Sequence, residues 1–429
     1  MKAWRIELRY SVVLLAMPVL LLVGVIAAWR ALWPGVEVWR NASQSIVASV
    51  QLLGPASAAI AAWSAGRDRR RGTAYLDELS ARPSGTAVLL QLAAALTWTS
   101  IAYAVVAAAV LVRTIPGAHW GGPMIVWIIS GYLGLLVHVV AGFLIGRSLP
   151  YRFVPPLLAF AFYAIEVVLT NGGGAWAFLS PVTLQEQDSL FDTNQTLLVG
   201  QALWYLGTIS VLLLGWWAAA AQRRRLVTTT TLAPAMALAV LGAVLVGNQH
   251  GHFLVGPTQF TYACQGTAPQ VCVQPAFQGG LATLDKAIEP VASRLAGSPW
   301  AIHRVEQRDR GIGSTPGPGS VSIFIDDFGP GWAQKDVEEM LSIVVYGPNA
   351  YNPCWLDMAK ANDPADPAQY NDLVTAWLAD DSTLFQAGND DGRRALSWFL
   401  AQPLDQQKAW LRAHAAKIRS CGLTSKDFS

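Results

Sequence analysis

The chain has 429 residues, of which 53% are hydrophobic and only 14% are charged. Soluble domains carry about 25% charged residues, so this composition excludes an ordinary soluble protein and predicts that much of the chain faces lipid. The net charge of +2 combines two unlike parts, because residues 1–252 carry 16 Lys/Arg and 9 Asp/Glu whereas residues 253–429 carry 14 and 19. We therefore predict a transmembrane domain over 1–252 and a separate domain over 253–429.

Seven runs in the first domain predict membrane-spanning helices, which need about 20 mostly apolar residues. They cover residues 11–29, 45–63, 87–112, 123–145, 153–169, 197–221 and 232–247. The second run is weaker because it contains Gln51 and Gly54-Pro55, and the seventh is weaker because it is short. Both features are tolerated where a helix packs against other helices. The first run could instead be a cleaved signal peptide, but its length favours a span.

The distribution of Lys and Arg between alternate loops predicts the orientation. One set of flanks and loops carries 13 of these residues: Lys2, Arg5, Arg9, Arg67, Arg69, Arg70, Arg71, Arg82, Arg147, Arg152, Arg223, Arg224 and Arg225. The opposite loops carry Arg30, Arg40 and Arg113. We therefore expect a multi-pass protein of the cell membrane with a cytoplasmic N-terminus and an extracytoplasmic C-terminal domain.

All four cysteines, Cys264, Cys272, Cys354 and Cys421, lie in the domain that is predicted to be outside. An even number confined to that domain favours disulfides in an oxidising compartment. Cys264 and Cys272 flank a Gly-Thr-Ala-Pro turn, so among the three possible connectivities we favour Cys264–Cys272 with Cys354–Cys421. A metal site is the weaker alternative, because no C-x-x-C pair exists and histidines are few.

The C-terminal domain has an α+β pattern. Residues 276–295 have helical spacing, "AIHRVEQ" and "SVSIFI" have the pattern of strands, and 336–345 and several segments between 367 and 419 are expected to be helical. The run Asn389-Asp390-Asp391-Gly392 is interpreted as a helix N-cap.

The stretch "AWSAGRDRRRGTAYLDELSARPSG", residues 62–85, joins the second and third predicted spans. Four of its arginines would stop the second span at the inner face, where anionic headgroups attract them. A short amphipathic helix is expected to follow, with an apolar edge that docks on the membrane surface or on a cytoplasmic partner. The residues of this loop that are candidates for the contact with a partner are Arg67, Arg69, Arg70, Arg71, Thr73, Leu76, Asp77, Glu78, Leu79 and Arg82.

This order of a basic N-terminus, two spans, the quoted loop and a third span resembles the membrane subunit of ABC-2 type transporters over about residues 1–225. The resemblance implies a six-span core, a coupling helix over Thr73–Ala81 that contacts a separate ATPase, and a homo- or heterodimer of membrane subunits. It also implies membrane-dipping helices within "NGGGAWAFLSPVTLQEQDSLF", residues 171–191. The region after Arg225 departs from that core, and "YACQGTAPQVC" resembles a domain of actinobacterial permease-like proteins. The fold class expected is thus an α-helical polytopic membrane domain, with a seventh helix added to the core, followed by a small disulfide-containing α+β domain.

Two ionisable residues inside predicted spans, His138 and Glu166, are candidates for a transport path, because burying such groups in lipid is costly. The alternatives are that Glu166 snorkels to the interface and that His138 bonds a neighbouring helix.

The sequence predicts no enzyme, cofactor or nucleic-acid partner. "GIGSTPGPGS", residues 311–320, lacks the lysine of a phosphate-binding loop, and neither H-E-x-x-H nor G-x-S-x-G occurs. The expected function is therefore the permease subunit of an exporter that a partner ATPase drives. The alternative is a membrane-anchored sensor, ligand-binding or immunity protein, and an outer-facing hydrolase ranks third.

Overall fold

The computed structural model describes residues 2–73, 85–172, 174–182, 190–220, 225–309, 319–346, 368–385 and 389–429. The chain divides into two compact units. The first comprises Met1–Leu32 with Glu37–Thr258, and the second comprises Trp33–Val36 with Gln259–Ser429. The main boundary between the units therefore follows Thr258, close to the boundary at residue 252 that the sequence analysis proposed. The sequence analysis did not foresee that Trp33–Val36 would belong with the C-terminal region.

The first unit is helical and opens with a short helix, Lys2–Arg9. Among its described residues are seven helices long and apolar enough to cross a membrane, in agreement with the seven predicted runs. We number them spans 1 to 7: Val12–Ala31, Trp39–Ala65, Thr86–Thr114, Ile125–Ser148, Val154–Asn171, Gln195–Ala219 and Thr230–Gly247.

Span 2 begins before residue 45, where the sequence placed its start, and consists of the consecutive helices Trp39–Ala48 and Val50–Ala65. The polar side chains of its first turns bond within the protein. The hydroxyl of Ser43 donates to the Trp39 carbonyl and that of Ser45 to the Asn41 carbonyl, each at 2.8 Å. The Asn41 amide donates to the Ala31 carbonyl at 3.0 Å. Span 2 is accordingly the most buried of the seven spans.

Spans 2 and 4 approach closely through small residues. Gly142 and Gly146, one helical turn apart, face Ala58 and Ala62, and a Cβ atom on either glycine would overlap the opposing backbone. Small residues at this spacing allow helices in a membrane to pack backbone against backbone. Spans 6 and 7 meet in the same way at Gly207.

The segment predicted to dip into the membrane, residues 171–191, contains a 3-10 helix, Ala175–Leu179. Phe178 is buried, and its carbonyl accepts a hydrogen bond from the amide of Gln201 in span 6 at 2.7 Å. Residues 183–189 lie outside the described ranges. Strand β1 (Phe191–Thr193) then pairs antiparallel with β2 (Leu254–Pro257), a pairing that the sequence analysis missed.

The second unit contains a four-stranded mixed sheet in the order β3 (Ala263–Gln265), β4 (Gln270–Val273), β5 (Arg304–Gln307) and β6 (Ser320–Ile323). β3 and β4 form an antiparallel hairpin, whereas β4–β5 and β5–β6 are parallel. The crossover between β4 and β5 contains the helix Leu281–Leu295. This helix starts five residues later than predicted, because Pro275–Gly280 forms a 3-10 helix.

Four further α-helices lie in the described part of the second unit: Trp332–Tyr346, Ala368–Ala379, Asp390–Ala401 and Leu404–Arg419. The predicted cap is confirmed, since the Asn389 side chain accepts from the Gly392 amide at 2.8 Å. Trp33–Val36 packs within this unit: the Phe328 amide donates to the Pro34 carbonyl at 2.8 Å, and the rings of Trp33 and Phe277 stack at 6.5 Å.

A capping box closes the C-terminal turn of the second unit. The Asp427 carboxylate accepts from the Thr424 amide at 2.9 Å and from Lys417 Nζ at 2.5 Å. Burial of Asp427 opposes its ionisation, but the hydrogen bonds from Lys417 and Thr424 outweigh this cost and hold the pKa of the carboxyl below its usual range.

Candidate functional site

The residues that follow span 2, Gly66–Thr73, form what we call the junction segment, and the structure ties three of its side chains to the ends of spans. Asp68 accepts a hydrogen bond from Gln91 in span 3, with 2.8 Å between the carboxylate and amide. Arg69 donates to the carbonyl of Arg147 in the last turn of span 4 at 2.8 Å.

Arg70 turns back onto span 2, where its guanidinium donates to the Trp63 carbonyl and lies 4.3 Å from the centre of the Trp63 ring. Carbonyls in the last turn of a helix have no partner within the helix, so Arg69 and Arg70 satisfy groups that would otherwise need water.

Positive charge is concentrated around the junction segment. Burial, followed by the nearby charges of Arg152 and Arg71, lowers the pKa of Arg70. Arg71 is exposed, whereas Arg67 lies 3.3 Å from the Asp68 carboxylate. The sequence analysis had treated these arginines together, as a cluster that stops span 2 and flanks the expected docking helix. The structure distinguishes them: Arg69 bonds to the end of span 4 and Arg70 to the end of span 2, whereas Arg71 is exposed and makes neither contact.

The predicted coupling helix lies mostly outside the described residues. Thr73 is the last residue described before the gap at 74–84, and its hydroxyl donates to the Asp68 carbonyl at 3.3 Å. Leu76, Asp77, Glu78, Leu79 and Arg82 all fall within that gap. Their contact with an ATPase stays a prediction.

The structure brings His138 and Glu166 together, although the sequence analysis had considered them separately. His138 Nε2 lies 3.2 Å from Glu166 Oε1, and the two side chains are only 7% and 4% exposed. Glu166 therefore points into the helix bundle and does not snorkel. The other ring nitrogen, Nδ1, bonds the Gly134 carbonyl at 2.8 Å within span 4 itself.

Three spans enclose this pair. Span 2 supplies Gly54, where a Cβ atom would lie 3.2 Å from three atoms of the His138 ring, so the glycine makes room for the imidazole. Span 5 supplies Phe162, whose ring centre lies 5.0 Å from that of His138. Both carboxylate oxygens of Glu166 are fully buried, and neither accepts a well-aligned hydrogen bond from the part of the chain that the structure describes, so Oε1 meets Nε2 as a close contact. That this pair lines a transport path remains a prediction.

The second unit confirms one predicted disulfide, Cys264–Cys272, which links facing residues of the β3–β4 hairpin. Cys421 is also disulfide-bonded. Cys354, its predicted partner, lies outside the described residues.

Sequence reasoning missed a charged row on β5 and the residue after it. Alternate residues of a strand share a face, which places Arg304, Glu306 and Arg308 side by side. Glu306 contacts Arg304 at 2.5 Å and Arg308 at 2.9 Å. Burial opposes its ionisation, but these two arginines outweigh that cost and lower the pKa of Glu306. The alternating charges were visible in "RVEQR", and strand periodicity would have found them.

Within the described ranges, no three His, Cys, Asp or Glu side chains converge as the ligands of a metal would. Comparison with known protein families, with curated proteins and with solved structures gives no match.

Proposed function

We propose that the chain is the membrane subunit of an exporter that a separate cytoplasmic ATPase drives, acting as a homo- or heterodimer as its resemblance to ABC-2 subunits implies. The observation that carries this proposal is the bonding of the junction segment. Because Asp68, Arg69 and Arg70 bond to spans 3, 4 and 2 respectively, a displacement of the loop after Thr73 would reach three spans together. Coupling of this kind needs contacts that differ between two states.

The two chain segments that make up the second unit support the proposed topology. Trp33–Val36 and Gln259–Ser429 form one unit, so they lie on the same side of any membrane that the spans cross. The six candidate spans between them, an even number, satisfy this requirement. With the arginine-rich loops inside, both segments would be extracytoplasmic, where the disulfide of Cys264 and Cys272 is favoured.

Docking of an ATPase is best tested at Arg71. Arg69 and Arg70 are unsuitable, because reversing their charge would also disturb helix ends. Arg71→Glu reverses an exposed charge of the junction segment. Arg30→Glu reverses an exposed charge in the last turn of span 1, on the side of the membrane that the proposal makes extracytoplasmic, and is the matched control.

The full-length tagged chain would be cross-linked in its own membranes, purified, and examined by mass spectrometry for a polypeptide with a G-x-x-x-x-G-K-[ST] loop. We expect such an ATPase to be recovered, with a several-fold loss in Arg71→Glu and no loss in Arg30→Glu. Recovery of no P-loop protein would contradict the proposal and favour the membrane-anchored sensor. Equal recovery by the two variants would remove Arg71 from the interface.

A further inference from the structure

Span 5 has few buried side chains. All of its residues are described, and beyond its first turn only Glu166 is buried. Leu157, Phe160 and Val168 on the same helix are exposed apolar side chains. Glu166, which contacts His138, is therefore the one buried side chain in the middle of this span.

The geometry of the pair fixes how many protons it holds. A carbonyl oxygen only accepts, so the bond to Gly134 requires a hydrogen on Nδ1 of His138. The Nε2 lone pair and a bare carboxylate would then repel each other at 3.2 Å. One further proton, on either the imidazole or the carboxyl, removes this repulsion. Both arrangements have no net charge, which suits a buried site.

We propose that His138 and Glu166 form a proton-binding site that latches span 5 against spans 2 and 4 and takes up one proton when it closes. This inference is independent of the proposed ATPase, since it depends only on contacts inside the first unit.

The pH dependence follows from what the two groups do once separated and hydrated. Imidazole then titrates near pH 6.5 and the Glu carboxyl near 4.3, so between these values the open pair also holds one proton and closure is indifferent to pH. Above about pH 6.5 the open pair has released that proton. Raising the pH therefore disfavours the closed state, by up to about tenfold for each pH unit.

Few other titratable groups face the pair. The helix Val50–Ala65 of span 2 and the 3-10 helix Ala175–Leu179 contain none. The neighbouring spans contribute Tyr132 and Arg147 on span 4, Tyr163 on span 5 and Tyr205 on span 6. Tyrosine and arginine do not ordinarily titrate between pH 6 and 8.5, so a response in that window belongs to the pair.

The test measures the position of span 5 by electron paramagnetic resonance. Spin labels on Ile129→Cys in span 4 and Val168→Cys in span 5, both exposed positions, report the distance between the spans in full-length protein in lipid nanodiscs. Protein without the two introduced cysteines gives the background signal.

In the otherwise unchanged sequence we expect one distance at pH 6 and a second population that grows up to about tenfold per pH unit above pH 7. Glu166→Gln should stay closed at every pH, because its amide donates to Nε2 with no proton to lose. Glu166→Leu removes the carboxyl in another way and should also give no opening as the pH rises above 7, which covers the case in which Glu166→Gln does not fold. A distribution that does not change between pH 6 and 8.5 in the unchanged sequence overturns the proposal. So does a pH response that persists in either variant.

Discussion

Gly142 is a position where a single methyl group should disturb the first unit. A Cβ atom there would lie 2.7 Å from Cα and 2.8 Å from the carbonyl carbon of Ala58, and still closer to the Ala58 carbonyl oxygen. All three atoms belong to the backbone of span 2, so no side chain can rotate away to make room. Gly142→Ala must therefore push spans 2 and 4 apart.

The size of the effect follows from this overlap. Ordinary carbon–carbon contacts lie at about 3.5–4.0 Å, so the two spans must separate by about 1 Å at this level. Overpacking of a close-packed interior costs about 1–3 kcal/mol. Such a loss reduces the ratio of folded to unfolded protein by about 5- to 150-fold.

Gly215→Ala is the matched control. Gly215 also lies within a span, but among the described residues nothing is within 4 Å of the position that its Cβ would occupy. Thermal melting of the detergent-solubilised full-length chain, followed by size-exclusion chromatography, should show a melting temperature several degrees lower for Gly142→Ala. The control should melt at or above the temperature of the original sequence, since alanine favours helix over glycine. Equal melting of the two variants would refute the close approach of spans 2 and 4.

Three further predictions concern the second unit. Asp427→Asn should lower its stability at pH 7 by about 0.5–2 kcal/mol, as loss of a cap does. Because the pKa of this carboxyl is depressed, the difference should begin to shrink as the pH falls below about 3.9 and should vanish once the pH has fallen through the depressed pKa. Tryptophan fluorescence during melting measures both effects. Replacing Cys264 and Cys272 together by alanine should cost about 2–3 kcal/mol, because they close a short loop, and melting of the oxidised protein checks this. Alkaline phosphatase fused after Ser429 should be active, because the proposed orientation places this end of the chain outside the membrane. Green fluorescent protein fused at the same site should not fluoresce. The reverse result for the two reporters would contradict the proposed orientation.

The number and order of the spans were predictable because length and apolar composition are local properties of the chain. The start of span 2 was not. Trp39–Ser45 has the polarity of a loop, and its polar side chains are satisfied inside the helix by bonds to backbone carbonyls, one of them at Ala31 in span 1. Polar side chains that bond inside a helical bundle cannot be distinguished in sequence from those that face water.

The candidate site was predictable residue by residue but not as an arrangement. His138 and Glu166 were each identifiable as costly charges in apolar surroundings. Their contact at 3.2 Å depends on the register of span 5 against span 4 and on the space left by Gly54, neither of which the sequence specifies. The roles of Arg69 and Arg70 at helix ends were missed for the same reason, since their acceptors are backbone atoms.

The assignment of Trp33–Val36 to the C-terminal unit determines how that unit can be produced in isolation. A recombinant fragment from Gln259 to Ser429 would lack the four residues whose carbonyl at Pro34 binds the Phe328 amide and whose Trp33 ring stacks on Phe277. Such a fragment would expose aromatic surface to solvent and tend to aggregate. Adding these residues through a flexible linker should restore a soluble product.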